Sequence, residues 1–206
     1  RHLNQRSEML LGISHDLRTP LTRIKLQLAM IPDKKLSKKL SSDVDEMEKM
    51  LNEYLNFSST GSNDKTETFN FSELVEEIIS KYENVKISLF SKPRIYLNGR
   101  KNLITRCINN LLDNSLKYAK KIEVNLEKEN SNVLISIDDD GPGVPETEYK
   151  NIVKPFYKID KSRSETKSSV GLGLAISSDI IKSHGGDIEF AKSNLGGLKV
   201  KIFLPV

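Results

Sequence analysis

The sequence predicts an α+β chain in two domains. An N-terminal antiparallel helical hairpin is expected over residues 1–60, and an α/β sandwich over 68–206, with a linker at 61–67. Three observations carry this expectation. Leu3, Leu10, Leu17, Ile24 and Ile31 recur at every seventh position, the period of an apolar helical seam. Ser58-Ser59-Thr60-Gly61-Ser62-Asn63-Asp64 is too polar to bury itself and reads as a linker. Beyond it, short alternating runs are mixed with helical ones, and 206 residues suffice for two small domains.

In the first helix, Ile13, Leu21 and Leu28 fill the row beside the heptad seam, and Pro32-Asp33 closes it. A second stripe runs through Leu36, Leu40, Val44, Met47, Leu51, Tyr54 and Leu55 to about Phe57. Two amphipathic helices with a short connection form an antiparallel pair whose seam is half uncovered. A second copy, giving a dimeric four-helix bundle, is the simplest cover.

In the second domain a helix is expected from Phe71 to Tyr82, with Ser72 as N-cap. Short strands are expected near Lys86–Leu89 and Arg94–Leu97. Asn102 to Ala119 reads as a helix through Leu103, Ile104, Cys107, Ile108, Leu111 and Leu112. Ile122–Glu127 and Val133–Asp138 alternate as strands about a turn at Asn130-Ser131-Asn132. A helix from Leu172 to His184 precedes a closing pair of strands, Asp187–Ala191 and Leu198–Phe203, joined across Gly196-Gly197. Helices on one face of a mixed sheet follow from this order.

Composition narrows the function. Hydrophobic residues make up 37% and charged ones 29%, enough for a core but too charged for a membrane protein. No run approaches the roughly 20 apolar residues of a membrane-spanning helix. The start, Arg1-His2-Leu3-Asn4-Gln5-Arg6, lacks a signal peptide's apolar segment. Its helical pattern is already under way, so the chain is expected to be the soluble end of something anchored elsewhere. A net charge of +4 is too diffuse to argue for nucleic acid, and the Lys34-Lys35 and Lys38-Lys39 cluster reads as a solvated helix end. One cysteine, Cys107, excludes an intramolecular disulfide and fits a buried, unreactive thiol.

Four groups of residues carry chemistry. His15 lies off the apolar row, so it faces solvent, with Asp16 at its flank and Thr19 one turn on. An imidazole can accept a phosphoryl group on one nitrogen while an adjacent carboxylate holds the proton on the other. Asn110, Asn114 and Lys117 share a helix face opposite Leu103, Cys107 and Leu111, and Tyr118 follows. Carboxamide oxygens suit Mg²⁺ that keeps phosphate oxygens and waters, and Lys117 can meet phosphate as a point charge. A solvated polar face is the alternative for this group taken alone. Asp139, at a strand end before Gly141 and Gly143, can accept from an adenine amino group while the glycines let backbone approach the base. Asp-Gly is also a common turn. Gly171-Leu172-Gly173-Leu174 opens a helix whose free amides favour phosphate. The polar stretch from Lys158 to Ser169 before it reads as a lid or as plain disorder.

In this order, over nearly the whole chain, these groups resemble the sensor histidine kinases of two-component signalling. Ser14-His15-Asp16-Leu17-Arg18-Thr19-Pro20-Leu21-Thr22-Arg23-Ile24 is similar to that family's H box, nearest the osmosensor (EnvZ-like) branch. Asn110–Asn114 resembles the N box, Asp139–Gly143 the first glycine box, Pro155-Phe156 the F box and Gly171–Leu174 the second glycine box. Ser169 stands where the family commonly has an earlier glycine, and Val153 where it has an aromatic residue.

The resemblance implies a dimerisation and histidine-phosphotransfer hairpin followed by a Bergerat-type (GHKL) ATP-binding domain, on the cytoplasmic side of a bacterial inner membrane. It implies ATP and Mg²⁺ as cofactors, with Asn110 and Asn114 on the metal. It adds Tyr118, Phe156, Lys158, Leu172 and Leu174 to the nucleotide site. His15 would take the γ-phosphoryl group on Nε2 and pass it to an aspartate of a response regulator receiver domain. Asp16 and Thr19 would position a water that dephosphorylates that partner. Two rival readings share the ATP fold or the hairpin: a GHKL-type ATPase, and a non-catalytic dimeric signalling module.

Overall fold

The computed structural model describes residues 17, 19–58, 64–82, 86–91, 94–129, 131–159 and 171–206. His15, Asp16, Ser169 and residues 61–63 of the expected linker lie outside them, as do Leu3, Leu10 and Ile13. The side chains of Tyr54, Leu55 and Phe57 also lie outside the described set. The chain divides into two compact units, the first holding two helices and the second everything from the first strand on.

In the first unit, α1 covers residues 19–29 and α2 runs over Lys34–Ser58. Leu21, Leu28 and Val44 form its buried cluster, with Ile31, Leu40 and Leu51 packed against it. The row that closes the hairpin is therefore 21/28, joined by Ile31 from the end of the heptad row. Leu17 and Ile24 remain 45% and 39% exposed. Pro32-Asp33 ends α1 as expected, and Asp33 also starts α2. Its Oδ1 accepts the amides of Lys35 and Leu36 at 2.9 and 3.0 Å, satisfying two otherwise orphaned donors. The Lys25 ammonium clamps the helices together, 2.7 Å from Asp45 and 2.6 Å from Glu48 of α2.

The second unit starts with β1 (Glu67–Asn70), α3 (Phe71–Ser80), β2 (Lys86–Ser91), β3 (Tyr96–Gly99) and α4 (Lys101–Tyr118). It continues through β4 (Lys121–Glu129), β5 (Asn132–Asp139), a single 3₁₀ turn at Glu146–Glu148, α5 (Gly173–Lys182), β6 (Asp187–Lys192) and β7 (Leu198–Pro205). Five strands form one sheet in the order β2-β4-β5-β7-β6. The β2–β4 pair is parallel and the other pairs are antiparallel. The expected mixed sheet is present. Strands β1 and β3 form a separate antiparallel ribbon.

Strand alternation decides what faces the helices. Ile122, Val124 and Leu126 of β4, Val133, Ile135 and Ile137 of β5, and Val200 and Ile202 of β7 are all buried. So are Leu103, Ile104, Cys107, Ile108, Leu111 and Leu112 of α4, and Ile176, Ile180 and Ile181 of α5. Burial pushes the Cys107 thiol up to about 12, which makes it inert at neutral pH.

Two local expectations need correction. Strand β1 was not foreseen, and its first residue, Glu67, lies within the expected linker. The N-cap of α3 is Asn70, whose Oδ1 accepts the Glu73 amide. Ser72 is buried instead, and its Oγ accepts the Ile95 amide at 3.2 Å. No helix among the described residues is long and apolar enough to cross a membrane.

Candidate active site

Asp138 and Asp139 end β5, Asp140 follows directly, and each has a different task. Asp138 points away from the helices, where Ser193 Oγ donates to its Oδ1 at 3.1 Å and Lys199 Nζ lies 3.0 Å from its Oδ2. Asp140 Oδ1 accepts the amides of Lys120 and Lys121 at 2.7 and 2.9 Å. Those donors hold its carboxyl below the usual aspartate range. Asp139 shares the parity of Ile135 and Ile137, so it faces the helices and is only 5% exposed. Its Oδ1 accepts the amides of Gly141 and Leu198, each at 3.0 Å, and Ser115 Oγ donates to its Oδ2 at 3.1 Å.

Gly141, Tyr118 and Gly143 gather near this carboxylate, and Asn110 meets the start of α5. Gly141 lies against Tyr118, since a Cβ at 141 would stand 3.4 Å from Tyr118 Cβ. Gly143, at φ +71°, is in the left-handed region that glycine tolerates. It lies beside Gly197, where an added Cβ would be 3.4 Å from the carbonyl oxygen. Asn110, Asn114 and Lys117 are half-buried on α4. Asn110 Cβ would be 4.0 Å from a Cβ at Gly173, so the N box and the start of α5 are neighbours. The Asn110 amide nitrogen is buried without a hydrogen-bond partner. A half-turn of the carboxamide would bring its oxygen to the same place, and an unpartnered polar atom is what a ligand position leaves behind.

Phe156 and Tyr157 also meet Gly171. Phe156, at φ +64°, donates its amide to the Gly171 carbonyl at 3.0 Å. Gly171, at φ +78°, passes so near the Tyr157 carbonyl that a Cβ would be 2.9 Å from it. Tyr157 Oη in turn donates to Glu148 Oε2 at 2.5 Å, tying this bend to the 3₁₀ turn. Phe156 is exposed, while Lys158 and Leu174 are half-buried. Leu172 is 0% exposed, so it serves the core, and only its main chain can meet a ligand. No side chain caps α5, which leaves its first amides for an anion.

These features fit a Mg–nucleotide. Amide donors and a helix N-terminus suit phosphates, Asn110 and Asn114 supply carboxamide oxygens, and Asp139 keeps acceptor capacity. Thr19 is exposed on α1, in the unit that also carries His15 and Asp16. Sequence reasoning missed Ser115 and Gly197. Ser115 falls on the apolar row of α4, one turn beyond Leu111, and that placement was the available signal.

Comparison with known proteins agrees. Residues 99–206 match the family described as histidine kinase-, DNA gyrase B- and HSP90-like ATPase. Residues 5–63 match the His Kinase A (phospho-acceptor) domain. The sensor histidine kinase GtrS of Pseudomonas aeruginosa is 34% identical over 207 residues, covering 100% of this chain and 43% of the relative. CpxA of Escherichia coli K12 is 31% identical over 220 residues, covering 100% of the chain and 48% of the relative. Full-length ShkA in complex with AMPPNP shares the fold at a TM-score of 0.71 and 19% identity, over 97% of this chain and 46% of that one. The chain spans slightly under half the length of the curated relatives it matches. With both domains matched in order, the chain belongs to the sensor histidine kinases of two-component signalling, of which it carries the catalytic core.

Proposed function

We propose that this chain is an ATP-dependent autokinase that phosphorylates His15 and passes the group to an aspartate of a response regulator. The observation that carries this reading is the carboxylate of Asp139. It is inward and tied by three donors, one of them Ser115, directly after the N box on α4. Asp139 would take the adenine amino group, and the amides at Gly171–Gly173 the phosphates. Asn110 and Asn114 would hold Mg²⁺, which when bound neutralises phosphate charge. Lys117 would add a point charge, and Tyr118, Phe156 and Lys158 would flank the nucleotide.

His15 Nε2 bonds to the γ-phosphorus as the bond from phosphorus to the β–γ bridging oxygen breaks, releasing ADP. Asp16 accepts the hydrogen bond from Nδ1–H, keeping the Nε2 lone pair free. Nε2 then yields the phosphoryl group to the regulator's carboxylate oxygen and recovers its lone pair. In the reverse role, Asp16 and Thr19 position a water against the phosphorylated regulator. The exposed Leu17 and Ile24, seven residues apart, are the surface a second copy would cover to form a four-helix dimer.

Incubation with γ-labelled ATP tests the reading. Wild-type protein should acquire acid-labile, base-stable label, and His15→Gln should acquire none while still binding ATP. Label retained by His15→Gln removes His15 from the chemistry, and free phosphate without labelled protein indicates an ATPase. Thr19→Ala should keep autophosphorylation and lose regulator dephosphorylation.

A further inference from the structure

The third donor to Asp139 is a side chain, and nothing about an ATP fold requires it. Ser115 lies on α4 directly after Asn114, 3% exposed, with Oγ 3.1 Å from Asp139 Oδ2. Both donors to Oδ1 are main-chain amides, from Gly141 and Leu198. A carboxylate offers about four acceptor positions. Two are used on Oδ1 and one on Oδ2, which leaves one, on Oδ2. Oδ1 is pinned at two points by main chain. Ser115 Oγ is the donor that holds Oδ2 itself, filling the lone pair beside the free one.

We infer that Ser115 is the positioning residue that makes this nucleotide site selective for 6-aminopurines. It fixes the free lone pair of Asp139 Oδ2 toward the exocyclic amine. A 6-oxo purine brings an acceptor to that place and meets a second acceptor, so an oriented carboxylate rejects it. A carboxylate whose Oδ2 lacks that donor still accepts from an amine, but at poorer angles, and it can rock about Cβ–Cγ away from an oxo group. Discrimination falls from both sides. The inference rests on Asp139 reading the base, as proposed above.

The test is titration of the 206-residue chain with Mg-ATP and with Mg-ITP, which differ only at the purine ring's 6-position and its tautomer. Alanine is the residue best tolerated within a helix, so Ser115→Ala should fold, and a thermal melt checks it. The ATP-to-ITP affinity ratio should fall about fivefold in Ser115→Ala, the scale of one hydrogen bond. A merely structural role would weaken both nucleotides alike and leave the ratio unchanged. A ratio that stays or rises overturns the inference. Asp139→Asn separates the two layers of the argument. If its amide nitrogen replaces Oδ2, preference should invert toward ITP. An Asp139→Asn protein with the wild-type ratio removes the adenine role itself. A collapsed ratio there beside an unchanged one in Ser115→Ala removes only Ser115.

Discussion

Gly197 stands directly over Asp139: a Cβ at position 197 would lie 2.1 Å from Asp139 Oδ1 and 2.5 Å from its carbonyl oxygen. The contact joins the β6–β7 turn to the end of β5. It is also the path by which the adjacent Leu198 amide reaches the carboxylate. Glycine here serves close approach, not a turn angle.

Gly197→Ala should therefore push the Asp139 carboxylate off its amides. Overpacking of this kind destabilises by about 1–3 kcal/mol, and ATP affinity should drop at least about tenfold, equivalent to about 1.4 kcal/mol. Nucleotide titration beside a thermal melt measures both. Wild-type affinity in a folded Gly197→Ala protein would show that Asp139 can move without consequence for binding.

The unpartnered Asn110 amide nitrogen makes a prediction of opposite sign for stability and binding. A buried donor without a partner disfavours the free protein by about 1–3 kcal/mol. Asn110→Ala should then be neutral to stabilising by about 1 kcal/mol, yet weaken Mg-ATP binding. Asn114→Ala should lose Mg-ATP binding as well. Denaturant melts and Mg-dependent nucleotide titrations decide it, and unchanged affinity in either variant removes that asparagine as a ligand.

His184 ties the end of α5 to the start of α4. Its Nε2 accepts the Arg100 amide at 3.0 Å, and Nδ1 lies 2.7 Å from the Ile180 carbonyl, so the neutral tautomer with Nδ1–H satisfies both. Arg100 reinforces the link by donating to Ser183. Burial, with a smaller effect from Arg100, holds the imidazole below its ordinary value of 6.5. The unfolded chain thus binds a proton more readily than the native one, and stability rises with pH across this window. His184's contribution is complete above about pH 6.5 and is lost as pH falls from there through the depressed native value. The stability of wild type should fall more steeply from pH 7 to 5 than that of His184→Gln; parallel slopes would dismiss the histidine.

Ile24 is 39% exposed on a helix whose own core uses Leu21 and Leu28. Ile24→Asp should leave the hairpin folded and dissociate the proposed dimer, read by sedimentation. Leu28→Ala should instead destabilise the first unit by about 2–4 kcal/mol. A dimer that persists in Ile24→Asp would place the interface elsewhere.

Much of the second unit was legible because its signals are local. The alternation Val133, Ile135, Ile137 carries straight on to Asp139, so parity alone says which of three aspartates faces the helices. The row Leu103, Cys107, Leu111 likewise turns Asn110 and Asn114 away from the core. Strand β1 was missed because four residues, Glu67–Asn70, are too few to display a period. Ser72 was misread as a cap because its hydroxyl answers the Ile95 amide, just before β3 and 23 residues away. In the hairpin, a heptad row and its neighbour look equally apolar in sequence. Which one closes the chain on itself depends on how α2 packs.

The amino-acid order alone determined the two-domain division, the helix and strand periods, the outward histidine expected at His15 and the carboxylate at Asp139, all properties of residues a turn or a few positions apart. The tertiary structure alone decided how that carboxylate is held, because its partners Ser115 and Leu198 lie 24 and 59 residues away. Such contacts exist only once β5 is paired with β7 and covered by α4. Periodicity records which face a residue takes, whereas the identity of the atom it meets there is set by the packing of the whole sheet.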